Sequence, residues 1–251
     1  MKITNISTYS ADFNMGTGQA LSKTNSKWIF VKIDTDQGIH GWGEVGTSAK
    51  ISEKLMSVAV EEVKNIFIGE NPMDIDRLWN KLFRLFSYMG SRGITTSLIA
   101  GFDIALWDIK GKASNMPIYD LLGGSYREKI RLYCNVWFSD CYTPEDYAAA
   151  AKKNLLGLNY EAYKLDPFLE MTPFHTMYQD GFISQKGEEQ GYDIVESVRE
   201  TVGDKFEILI DAHGHYNVPN AIRLSNNLFE RSNIGWFEEP LPPEGISALK
   251  Q

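Results

Sequence analysis

Apolar and polar positions divide the chain into two halves of different rhythm. The first half opens on a strand-like pattern after Met1-Lys2-Ile3-Thr4 and continues with the β-rich run Trp28-Ile29-Phe30-Val31-Lys32-Ile33. Thr35-Asp36-Gln37-Gly38 is a turn signal and residues 39–45 return as a second strand, so this part reads as a β-hairpin. Residues 13–26 are polar and Gly-containing, which predicts a flexible loop. Three helices follow. Ile51, Leu55, Val58, Val63, Ile66 and Phe67 keep a helical period, closed by Gly69 and Pro72. Ile75, Leu78, Trp79, Leu82, Phe83 and Phe86 make a second stripe. The third helix spans about residues 95–113, with Leu98, Phe102, Ala105 and Ile109 on one side. Gly101 inside it costs about 1 kcal/mol relative to Ala, so close packing is expected there. Leu121-Leu122-Gly123-Gly124 ends the block.

From about Arg127 strands alternate with helices. Strands are expected over residues 131–137, 161–166, 206–211 and 234–238. Helices are expected from Thr143-Pro144 to Gly157, near 192–202 and over 219–230. The polar stretch of about 20 residues after Asp166 is longer than the usual connection in such a unit. This alternation argues a parallel sheet or a (β/α) barrel. A (β/α)8 barrel takes roughly 250 residues, and only about 125 remain after the first block. The residues alone allow an open four-stranded layer or the N-terminal piece of a larger protein.

Composition narrows the classes. The 251 residues carry 25 Lys and Arg against 33 Asp and Glu, a net charge of −8, which supplies no basic footprint for nucleic acid. No run approaches the roughly 18 apolar residues of a membrane span, and no signal peptide is expected. Only Cys134 and Cys141 occur, too few for a disulfide framework, and a cytoplasmic location fits.

Two strands end in acids. Ile208-Leu209-Ile210-Asp211 puts Asp211 at a C-terminal tip, and Trp236-Phe237-Glu238 does the same for Glu238. Barrel enzymes place their chemistry at such tips, and two hard oxygen donors from neighbouring strands suit Mg²⁺. A single acid after a strand is as often a helix cap, so it is the pair, with His213 between, that points to a metal. The two-residue period puts His213 on the face of Asp211, and Lys164 with Asp166 on one face of their strand. The same period separates Glu238 from Glu239. His40 and His175 read as surface or packing residues, Asp103 and Asp108 as pairing within the fold, and Cys134 as a small hydrophobe.

Read together, these motifs resemble the mandelate racemase and muconate lactonizing enzyme branch of the enolase superfamily. The resemblance covers the whole chain. It rests on Gly41-Trp42-Gly43-Glu44, on Asn71-Pro72 through Arg77-Leu78-Trp79, and on Asp103-Ile104-Ala105-Leu106-Trp107-Asp108 through Leu121-Leu122-Gly123-Gly124. It rests further on Asp211 and on Trp236-Phe237-Glu238-Glu239-Pro240. It implies an α+β capping domain (residues 1–126) followed by the first half of a (β/α)8, TIM-like barrel (residues 127–251), the chain being truncated after the fourth barrel strand. It also implies Mg²⁺ held by Asp211, Glu238 and a third acid beyond Gln251. The second barrel strand carries Lys164 with Asp166 where racemases of this branch have a Lys-x-Lys pair. Asp211-Ala212-His213-Gly214 instead looks like sugar-acid dehydratases of the galactonate and gluconate type, in which this His is the general acid. His215 stands where those enzymes commonly have Arg.

The expected function of the full-length protein is thus Mg²⁺-dependent dehydration of an aldonic acid to a 2-keto-3-deoxy acid through an enediolate. His213 would be the acid and Lys164 an electrostatic partner. His215, Asp166, Asn135 and Trp137 are candidate substrate contacts, and residues 13–26 would close over the site. A homo-oligomer is expected, and the 251 residues alone are expected to be inactive. The alternatives are a racemase or epimerase using Lys164 as base, and a half-barrel binding piece.

Overall fold

The computed structural model describes residues 1–12, 27–45, 53–90, 92–157, 160–171 and 181–251. The loop expected over 13–26, and Ile51 and His175, lie outside the described residues. The chain divides into two compact units, Met1–Glu128 and Lys129–Gln251.

In the first unit β1 (Ile3–Asp12), β2 (Lys27–Thr35) and β3 (His40–Glu44) form an antiparallel sheet in that order. Gly38, at φ 75°, makes the turn between β2 and β3. Helices α1 (Glu53–Val63), α2 (Ile75–Leu85), α3 (Ile94–Ser114) and α4 (Ile118–Leu121) complete the unit. Alternate residues Ile29, Val31 and Ile33 of β2 are buried with Leu98, Phe102, Ala105 and Ile109 of α3 in one core. The expected stripe on the first helix is shifted. Leu55 and Val58 are exposed and Met56 and Val60 are buried in their place, while Val63 and Phe67 are buried as expected. Both sets keep the helical period, so spacing alone did not choose between them. Phe67 stacks on Phe102 with ring centroids 4.4 Å apart, which fixes which face turns inward. On α2, Trp79 remains partly exposed and stacks on Phe83 at 4.9 Å.

Close packing at Gly101 is present, and its cause lies in β3. A Cβ on Gly43 would land on the Gly101 carbonyl oxygen, and one on Gly41 on the Ala105 carbonyl oxygen. The two glycines therefore let α3 lie backbone-to-backbone on the strand. Asp108 of α3 accepts from the Trp42 amide at 2.8 Å and from Lys112 at 2.7 Å, a pairing within the fold.

The second unit carries a four-stranded parallel sheet of β4 (Tyr133–Cys134), β5 (Ala162–Leu165), β6 (Glu207–Asp211) and β7 (Trp236–Glu238), in chain order. Between them run α5 (Pro144–Asn154), α6 (Gln185–Val202) and α7 (Val218–Ser232). Helix α5 starts where Thr143-Pro144 signalled, with Thr143 and Asp146 forming a capping box. Helix α6 begins seven residues before the expected start, capped by Ser184. Its first two turns are too polar to show an apolar period. Strand β4 ends at Cys134, short of the expected 137, because Val136 adopts a positive φ and turns the chain away.

Tyr163, Leu165, Ile208 and Ile210 alternate onto the buried face of this sheet, in one core with Tyr147 of α5, Val195 of α6 and Leu224 of α7. Lys164, Asp211 and Glu238 alternate to the other face. Helices α6 and α7 are tied by Glu188, which accepts from Tyr192 at 2.6 Å and from Arg223 at 2.8 and 3.1 Å. Arg223 holds the Glu188 carboxyl below its ordinary value, against the effect of burial and with help from Tyr192. Glu188→Gln should therefore destabilise this unit by about 1–3 kcal/mol at neutral pH. The increment is complete above the unfolded-state pKa of about 4.5 and fades as pH falls through the lower folded value. Denaturant melts of both forms from pH 7 to pH 3 check this; a gap that stays constant with pH would contradict it.

Candidate active site

Strand register places the site residues. Asp211 pairs with Glu238 across β6 and β7, and Lys164 pairs with Leu209 across β5 and β6. Paired residues of parallel strands share a face, so Lys164 sits two residues below the two acids on their own side. Its side chain rises to them. Nζ donates to Asp211 Oδ2 at 2.8 Å and to Glu238 Oε1 at 2.9 Å. The Lys164 and Asp211 side chains are 8% and 6% exposed, and Glu238 is 31% exposed. Burial opposes the ammonium, but the hydrogen bonds and charges of Asp211 and Glu238 outweigh it and hold the Lys164 pKa above its ordinary value.

His213 reaches Asp211 by a different route from the expected strand alternation. Strand β6 stops at Asp211, and His213 lies in a turn at φ 50°. Its backbone N–H donates to Asp211 Oδ1 at 3.2 Å, a local bond from an Asp side chain of the kind that shapes turns. The ring is thereby set between two acids, with Nε2 3.0 Å from Asp166 Oδ2 and Nδ1 3.5 Å from Asp211 Oδ1. Burial would lower the imidazole pKa, but the Asp166 hydrogen bond and charge, then Asp211 and Glu239, raise it above 6.5.

Lys164, Asp166, Asp211, His213 and Glu238 thus form one connected group. Two donor sets in it suit a cation. Asp211 Oδ2 and Glu238 Oε1 converge on a single positive charge, and hard carboxylate oxygens fit Mg²⁺. Asp166, Asp211 and His213 each offer a ligand atom, all within 4.8 Å of one another. That mixed nitrogen and oxygen set is softer and better matched to a transition metal.

The other candidates are placed differently. His215 is buried at 3% exposure, its ring 6.3 Å from that of His213. Asn135 is exposed, and its side chain accepts from the Val136 amide at 2.8 Å, shaping its own turn. Trp137 is in the core and donates its indole N–H to the Lys164 carbonyl at 2.8 Å. It anchors the backbone of β5 directly beneath the site lysine. Burial raises the thiol pKa of Cys134 and pushes that of Cys141 up to about 11, so neither is a thiolate near neutrality.

Two contributors were not foreseen. Tyr133 presents its ring to Lys164 Nζ, 5.7 Å from the centroid. It lies two residues before Asn135, so the two-residue period of the strand could have nominated it beside Asn135. Glu239, with φ 43°, leaves the strand and adds its charge near His213. No local pattern signals that turn. Below the polar group a cavity of about 330 Å³ is lined by Arg131, Tyr133, Ala162, Leu209, Trp236 and Glu238, among others.

Among the described residues no helix is long and apolar enough to cross a membrane. Comparison with known proteins gives a consistent result. The family model for the mandelate racemase / muconate lactonizing enzyme N-terminal domain matches residues 11–123, and that for the enolase C-terminal domain-like family matches 146–251. A D-xylonate dehydratase of Haloferax volcanii is 35% identical over 90% of this chain and 53% of its own length. A D-galactonate dehydratase of Pectobacterium atrosepticum is also 35% identical, over 97% of this chain and 56% of its own. A solved member of the enolase superfamily from Salmonella Typhimurium superposes with a TM-score of 0.84 at 31% identity, over 99% of this chain and 64% of that one. The chain spans about half the length of the curated relatives it matches.

Proposed function

The chain belongs to the mandelate racemase/muconate lactonizing enzyme family of the enolase superfamily, whose members typically bind Mg²⁺, and from that premise we propose that the whole protein is a sugar-acid dehydratase. Its substrate would be an aldonic acid and its products a 2-keto-3-deoxy acid and water. The relatives named as D-xylonate and D-galactonate dehydratases support this class. The observation that carries it is His213, set between Asp166 and Asp211 beside the Lys164–Asp211–Glu238 group.

Elimination requires a base to take the proton from C2, a role that the resemblance to galactonate- and gluconate-type dehydratases gives to a His on a later strand, and an acid to protonate the departing 3-hydroxyl. Hydroxide is a poor leaving group, so an acid must deliver that proton. His213 fills this role, because a neighbouring carboxylate favours its protonated form. Asp166 holds the ring by Nε2 and the Asp211 turn holds its backbone, which together limit its orientation. Mg²⁺ held by Asp211 and Glu238 would supply Lewis acidity towards the substrate carboxylate. Lys164 adds a positive charge for the enediolate that follows loss of the C2 proton. The resulting enol of the 3-deoxy acid then tautomerises to the 2-keto product.

A racemase on the same scaffold would use Lys164 as the base. Where such enzymes carry a second Lys, whose like charge lowers the pKa of the first, this chain has Asp166, a carboxylate bonded to His213 at 3.0 Å. This arrangement favours elimination.

The test is incubation with a panel of aldonates in D₂O, following 2-keto acid with semicarbazide and deuterium at C2 by NMR. His213→Asn should slow loss of the 3-hydroxyl by about 10²–10⁴-fold while C2 exchange persists. Equal loss of both would remove His213 as the leaving-group acid. Exchange with inversion at C2 and no keto acid from any aldonate would replace the dehydratase reading by the epimerase one.

A further inference from the structure

We propose that Lys164 is a resident counter-cation that keeps the Asp211–Glu238 pair assembled while no metal is bound, and that it gives way when a divalent cation loads. This rests on the reading of Asp211 and Glu238 as metal ligands. The two acids are register partners on adjacent parallel strands, so their Cα atoms lie about 4.8 Å apart and their side chains share a face. Asp211 is nearly buried. Two like charges so close, in a setting with little water, repel strongly and would splay the ends of β6 and β7.

Lys164 relieves that repulsion. It stands on the neighbouring strand β5, two residues lower in register and so on the same face, and its ammonium bonds one oxygen of each acid. The point between Asp211 Oδ2 and Glu238 Oε1 is therefore held by a single positive charge. A divalent cation bound by the same two oxygens must take them from the ammonium, since both cannot occupy that point. The lysine stem is long and flexible enough for its head to withdraw without moving the strand. The Tyr133 ring, 5.7 Å from Nζ, gives the displaced ammonium a face to rest against. From there it can meet an incoming carboxylate. Lys164 thus acts as a positioning residue for the acids before loading and a charge for the substrate after it.

The experiment follows Mn²⁺, as a spectroscopic stand-in for Mg²⁺, binding to the full-length protein and to Lys164→Met by EPR titration. Removing the competitor should tighten Mn²⁺ binding by about tenfold or more, the equivalent of one charge-assisted hydrogen bond. The melting temperature of Lys164→Met should fall in EDTA and recover in Mn²⁺. Should the variant fail to fold without metal, acetic anhydride labelling of the native protein decides. Lys164 should be protected in EDTA and acetylated several-fold faster with Mn²⁺. Unchanged or weaker Mn²⁺ affinity in Lys164→Met, or labelling of Lys164 that ignores the metal, overturns the counter-cation role while leaving the metal site standing. Mn²⁺ bound by neither protein overturns the metal reading and this proposal with it.

Discussion

Asp211→Asn and Glu238→Gln should each lower turnover of a sugar acid by about 10³-fold or more, since the metal they are proposed to hold contributes several kcal/mol at the reacting carboxylate. Both substitutions keep shape and remove only charge. The fold should survive, because Lys164 retains one carboxylate partner in either variant. Far-UV circular dichroism should match the native protein while Mn²⁺ binding weakens sharply. Activity within tenfold of native in either variant, or turnover that persists in excess EDTA, would sink the metal assignment. A variant that unfolds would say instead that the pair serves stability first.

The largest effect on stability is expected at Gly43. A methyl group there meets the carbonyl oxygen of Gly101 and approaches the Ala105 nitrogen to 2.9 Å, both backbone atoms of α3 that cannot rotate aside. The helix must lift off β3, and the core formed by Phe102, Ala105 and Ile109 opens with it. Gly43→Ala should cost roughly 3 kcal/mol or more and lower the melting temperature by about 6–12 °C. Gly38→Ala is the control. Gly38 has φ 75° with no atom within 4 Å of an added Cβ, so only backbone strain of about 1 kcal/mol applies. Equal costs at the two positions would show that helix–strand proximity is not what Gly43 provides.

Gly43 also illustrates what was readable in the sequence. The motif Gly41-Trp42-Gly43-Glu44 marks the family, and Gly101 signalled close packing, but nothing in either segment says that they meet each other. That is a long-range fact. Where local chemistry determines geometry, reading succeeded: Thr143-Pro144 starts α5, and Asp211 and Glu238 end their strands side by side. It failed where two patterns were equally periodic, as on α1, where Met56 and Val60 turn inward in place of Leu55 and Val58. His213 is the instructive case. Its proximity to Asp211 was expected from strand alternation, yet it arises from a turn at positive φ. Asp166 was grouped with Lys164 by the same period, and its contact is with His213 across 47 residues of chain. The Glu188–Tyr192–Arg223 network joins two helices and leaves no mark in either helix alone.

The pairing of β6 with β7 has only three rungs, Leu209 with Trp236, Ile210 with Phe237 and Asp211 with Glu238. Three more backbone bonds carry the same alignment past the strand ends, from Ala212 to Glu238, Gly214 to Glu239 and Tyr216 to Pro240. This short seam acts as a reading frame for the chemistry. A slip of one residue would set Phe237 or Glu239 opposite Asp211 and turn Glu238 to the helix side. It would also drag the His213 turn along the partner strand, so acid and ligand would lose alignment together. Mutations at Ala212, Gly214, Tyr216 or Pro240 can therefore silence the site without touching a reactive group. The kinetic defect of such variants should track the backbone amide exchange of Gly214 and Tyr216, because a frame held by so few bonds fails as a unit.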